Sequence, residues 1–92
     1  MENKKDNKDI YILVAKRIKL FRQYRKMTQE ELAEKSLYSP GLIGNIDSPK
    51  THQTFSLAVL YALARALDIP MELFVKEDIT HELKKLGITA DD

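Results

Sequence analysis

The sequence predicts an all-α domain of five short helices with a candidate sixth at the C-terminal end. Apolar residues recur at i, i+3, i+4 along most of the chain, and capping residues cut that pattern into short pieces. No stretch alternates apolar and polar residues in the way a half-buried strand requires.

Residues 1–8 are polar and aperiodic, and read as a disordered tail. From Asp9, taken as an N-cap, Ile10, Leu13, Val14, Ile18 and Phe21 form one apolar face of a helix reaching Tyr24 or Arg25. Lys16, Lys19, Arg22 and Lys26 fall on its wet side, and Arg17 is also expected to face solvent. Thr28 and Glu31 make a capping box, so a second helix starts there and runs to about Ser36, with Leu32 and Ala33 inward. Ser39 followed by Pro40 is a good start for a third helix, which Pro49 ends. That helix contains Gly41 and Gly44, each about 1 kcal/mol worse than alanine in a helix interior, so it must be held by its neighbours. Ser56 caps the most apolar helix, with Leu57, Leu60, Leu63, Ala64 and Leu67, ending at Ile69-Pro70. A short fifth helix follows Pro70 and buries Met71 and Phe74. Ile79, Leu83 and Leu86 share a helical spacing that Gly87 closes. The division is a tail at 1–8, a domain at 9–78 and a C-terminal helix or tail at 79–92.

The 92 residues suit one small domain, and the absence of cysteine excludes disulfides and thiolate metal sites. No apolar run approaches bilayer length, and the N-terminus lacks a signal-peptide core, so a soluble cytoplasmic protein without membrane contact is expected. The net charge of +1 conceals an asymmetry. Residues 1–27 carry nine basic against three acidic side chains, and residues 28–92 carry six against eleven. A basic first third favours phosphate, but a charged helix face exposed to water explains it equally well. His52 and His81 have no companion ligands, so no metal is expected. No nucleophile constellation or glycine-rich phosphate loop is present, which argues against an enzyme and against any cofactor.

Two short helices joined through Leu37, Tyr38 and Ser39 have the form of a helix-turn-helix. The words RIKLFRQYRKMTQEELAEKS, SPGLIGNID and SLAVLYALARALDIPMELF, between Val14 and Phe74, carry this further. The run resembles the Cro and phage-repressor class of helix-turn-helix domains, also called the xenobiotic-response-element type. That resemblance implies a third helix lying in the DNA major groove. By position it implies that Thr28 and Gln29 hold a phosphate at the start of the second helix. Ser39, Pro40, Gly41 and Asn45 would face base edges, and Ser48 and Lys50 the sugar-phosphate backbone. Arg22 and Asp47 match a family ion pair that sets the angle of the third helix.

The chain departs from the family at Pro40 and Gly41, where side-chain donors are common. Sequence readout would then lean on Asn45, on thymine methyls and on DNA shape. Leu37 stands where a turn glycine is frequent, and a left-handed conformation there would store about 1–2 kcal/mol. Gln53 and Thr54, with His52, are extra contacts or plain loop. Each candidate has a plainer reading: Gln29 an exposed helix-start residue, Asn45 a solvent-facing or capping residue, Lys50 a solvated loop charge, Tyr38 packing. The functional expectation is a sequence-specific transcriptional regulator, a repressor, that binds double-stranded DNA as a homodimer. Its dimer contacts would come from Phe74, Val75, Ile79, Leu83 and Leu86, unless those residues pack on their own domain. The alternative is an antitoxin, or an adaptor that uses the same domain to bind a protein partner.

Overall fold

The computed structural model describes residues 5–51 and 53–89, with side chains from Ile10 onward, so His52 lies outside the described residues. The order is α1 (Lys5–Tyr24), α2 (Gln29–Ser36), α3 (Pro40–Asp47), α4 (Leu57–Leu67), α5 (Glu72–Val75) and α6 (Thr80–Leu86). The first helix starts at Lys5, so Asp9 lies inside it and is not its cap. The reason is local: KDNKD contains neither glycine nor proline, and nothing in it stops a helix growing backward from the apolar face. Of the expected tail, residues 1–4 lie outside the described residues.

Helix α1 packs against α3, α4 and α5, while α2 packs against α3 and α4. Ile18 and Phe21 from α1, Leu32 from α2, Ile43 from α3, Leu63 and Leu67 from α4 and Phe74 from α5 meet in one core. Burying each such side chain stabilises the fold by roughly 1.5–3 kcal/mol relative to exposure. The Phe21 and Phe74 rings meet edge to face at 5.2 Å. The C-terminal segment joins the same core through Ile79 and Leu83. That corrects the expected dimer surface: Phe74, Ile79 and Leu83 are buried in their own domain and Leu86 is half-buried, leaving Val75 exposed. Leu57 departs the other way, since its spacing places it with Leu60 yet it is 72% exposed.

Arg17 is the main surprise. Expected in solvent, it is only 8% exposed. Its Nη1 donates to the carbonyls of Leu73 and Lys76, each at 2.8 Å, and its Nη2 to Glu77 at 2.7 Å. One guanidinium thus satisfies carbonyls that the end of α5 leaves open, and it fixes the approach to α6. Burial pulls its pKa down, and Asp78 opposes that pull. Arg25 does the same for α4, donating from Nε to Leu67 at 2.7 Å and from Nη2 to Asp68 at 2.9 Å. Among the described residues no helix is long and apolar enough to cross a membrane.

Candidate functional site

The segment from Thr28 to Thr51 is built from local rules. Thr28 Oγ1 accepts from the Glu31 amide at 3.0 Å, and Glu31 Oε1 accepts from the Thr28 amide at 2.8 Å. This capping box leaves the amides of Gln29 and Glu30 without an acceptor among the described residues. Open amides and the helix dipole favour an anion at this point, while the carboxylates of Glu30 and Glu31 compete with it.

Helix α2 ends at Leu37, which takes the left-handed conformation with φ 67° and ψ 26°. Leu37 is also 90% exposed, so no packing compensates for that backbone. The link through Tyr38, half-buried against the domain, delivers Ser39. Ser39 Oγ accepts from the Leu42 amide at 3.1 Å, and Pro40 occupies the first helical position. Ile43 and Ile46 are buried beneath α3. Its outer side carries Pro40, Gly41 and Asn45, all exposed. No segment of the described chain covers that side.

Beyond α3 the backbone turns tightly. Ser48 Oγ accepts from the Lys50 amide at 3.3 Å, and Thr51 Oγ1 donates to the Asn45 carbonyl at 2.9 Å. Lys50 is exposed on that turn. Thr51 was not singled out from sequence, because a hydroxyl six residues past Asn45 has no distinctive spacing.

The three elements are locked by a small polar cluster. Arg22 Nη2 donates to Asp47 Oδ2 at 2.8 Å, with side chains only 12% and 5% exposed. Arg22 Nη1 also donates to the Met27 carbonyl at 2.7 Å. Gln29 Nε2 donates to the same Asp47 Oδ2 at 3.0 Å. Arg22 Nε and Asp47 Oδ1 have no hydrogen-bond partner among the described residues. Gln29, read from sequence as reaching outward, is therefore half-buried and engaged with the end of α3. Its Oε1 lies 3.4 Å from where a Cβ on Gly44 would stand, so the missing side chain at 44 makes room for the glutamine. Nothing in the spacing of residues 29, 44 and 47 announces that contact.

The site thus falls into two parts. Gln29 and Asp47 meet with Arg22 in the locking cluster, next to Thr28. Ser39, Pro40, Gly41 and Asn45 share the outer side of α3, with Ser48 and Lys50 at its end. Among the described residues no group of histidine and carboxylate side chains is arranged to hold a metal ion. Compared with known proteins, the chain matches no family model, no curated protein and no solved structure.

Proposed function

We propose that the chain is a helix-turn-helix DNA-binding regulator that presents the outer side of α3 to the major groove. The observation that carries this reading is Gly41. Its φ is not positive, and a Cβ there would meet only Ser39 Oγ, at an ordinary 3.9 Å. Nothing in the fold needs glycine at this place, and helices disfavour it by up to about 1 kcal/mol. A close approach from outside explains it: a bare backbone at 41 lets base edges or methyl groups come nearer than any side chain would. Exposed Asn45 fits adenine, and Lys50 fits a phosphate, at the two sides of that approach.

Gly41→Ala separates fold from function. The substitution should raise the melting temperature while weakening binding to duplexes enriched from a random pool. Failure of the pool to enrich any duplex, or unchanged affinity in the variant, would count against the α3 reading.

A homodimer on a two-fold-related operator remains part of the proposal, but it cannot rest on Phe74, Ile79 or Leu83, which are buried in their own domain. Leu57 and Tyr61 are exposed on successive turns of α4, beside a shallow groove lined by Lys35, Ser36, Ala62 and Arg65. The same apolar face favours the second reading, an antitoxin or adaptor that binds a protein partner.

A further inference from the structure

We infer that Lys16 and Lys19 of α1 and Lys26 in the turn after it, and not the neighbouring arginines, form a second phosphate-binding track beside the end of α3. This rests on the DNA reading above and adds to it a site that the outer side of α3 does not contain. The basic charge of the first third divides by residue type. Arg17 is occupied by three carbonyls, Arg22 by Asp47 and Met27, and Arg25 by Leu67 and Asp68. Planar guanidinium groups suit such forked, partly buried contacts. Lys16, Lys19 and Lys26 do the opposite: all are exposed, and none makes an ion pair among the described residues.

Their placement is ordered. Ile12, Lys16, Lys19 and Gln23 are exposed at steps of four, three and four residues, which puts them along one stripe of α1. No acidic residue interrupts that stripe. Lys19 stands one turn before Arg22, whose bond to Asp47 fixes this part of α1 beside the end of α3. Lys26 follows the helix at the turn that leads into Thr28, its amide held by the Gln23 carbonyl at 3.0 Å. Lys50 follows Asp47 by three residues. Lys19 and Lys26 thus lie close in sequence on either side of Arg22, and Lys50 lies just beyond Asp47, with Lys16 one turn further back along α1.

Charge on α2 is of the other sign, with Glu30, Glu31 and Glu34 exposed. A polyanion following the lowest electrostatic cost runs along α1 and the end of α3, and avoids the body of α2. Strongly hydrated, flexible lysines are suited to this non-directional contact, which adds affinity without reading sequence. It also supplies what α3 lacks, since that helix contains no basic residue.

The test measures binding to a duplex enriched by the intact chain across a salt series. Compared are the wild type, a Lys19→Gln/Lys26→Gln variant and a control Lys84→Gln/Lys85→Gln variant, altered on exposed α6 lysines. Each phosphate contact contributes about 0.9 to the slope of log affinity against log salt, so the α1 variant should lose about 2 from that slope. The control should keep it, and the ranking of mutated duplexes should stay the same in all three. An equal loss in the control would reduce the effect to net charge and overturn the track. An unchanged slope in the α1 variant would overturn it too, leaving the α3 reading standing. If the wild type binds no duplex at all, the DNA reading itself fails and the track falls with it.

Discussion

Replacing Leu37 by glycine should stabilise this protein, although it deletes a large apolar side chain. Leu37 holds φ 67° with its side chain 90% exposed, so deletion removes almost no burial. The left-handed conformation costs a non-glycine residue about 1–2 kcal/mol, which glycine does not incur. Against this, glycine gives the unfolded chain extra freedom, which offsets about 0.4–1 kcal/mol. The hydrogen bond from the Tyr38 amide to the Ala33 carbonyl, 3.1 Å, closes the end of α2 and does not involve the side chain. The two figures leave a net gain of about 0–1.6 kcal/mol, centred on about 0.8, which corresponds to a rise of roughly 3–6 °C in the melting temperature of a domain this size. Thermal melts followed by helical circular dichroism, with urea midpoints as a second measure, provide the assay. Leu37→Ala is the control, because alanine keeps the strain and should change stability by less than about 0.5 kcal/mol. A glycine variant that melts at or below the wild type would refute the claim that strain resides in this turn.

Other substitutions test the clusters that hold α3 and the C-terminal segment. Arg17→Met should cost about 3 kcal/mol or more, because it keeps much of the stem but leaves the buried Leu73 carbonyl unpaired; a calorimetric melt within a degree of wild type would contradict this. Arg22→Ala should destabilise by about 3 kcal/mol, by stranding a buried Asp47, and an unaltered urea midpoint would mean the pair contributes nothing. Acid should loosen the α5–α6 region first. Thr80 holds the Asp78 carboxyl below its ordinary pKa through two hydrogen bonds, and Lys76 does the same for Glu82. Depressed carboxylates stabilise the fold above their unfolded pKa, about 4, and that contribution disappears as pH falls through the lower folded values. Protection of the α6 amides, taken relative to intrinsic exchange at each pH, should therefore fall below about pH 4, and protection there that is indifferent to acid would exclude these contacts.

What could be read in advance follows the range of the interactions. Thr28 with Glu31, Ser39 with Pro40, Ser56 and Gly87 mark helix ends through bonds spanning a few residues, so the sequence displays them directly. The left-handed turn at Leu37 was anticipated through the family resemblance, which often places a glycine there, and not from any local signal in the residue itself. Arg17 was missed although a signal existed: with Val14, Ile18 and Phe21 it completes the i, i+3, i+4, i+7 face that enters the core. Its charge argued for solvent, and its acceptors, 56 to 60 residues away, cannot be seen from α1. Leu57 failed in reverse, because periodicity assigns a face and does not say whether a neighbour reaches that end of the helix. Within the site, the Arg22–Asp47 pair followed from the family resemblance. The bond from Gln29 to Asp47 and the space at Gly44 depend on how α2 crosses α3, which no local pattern encodes.

The most direct test is backbone amide NMR of the isotopically labelled chain, titrated with a short DNA duplex at low salt. The account predicts that the largest shift changes fall at residues 28–29 and 39–50, with α6 unaffected. Changes centred on the exposed face of α4 around Leu57 and Tyr61, or none anywhere, would contradict it.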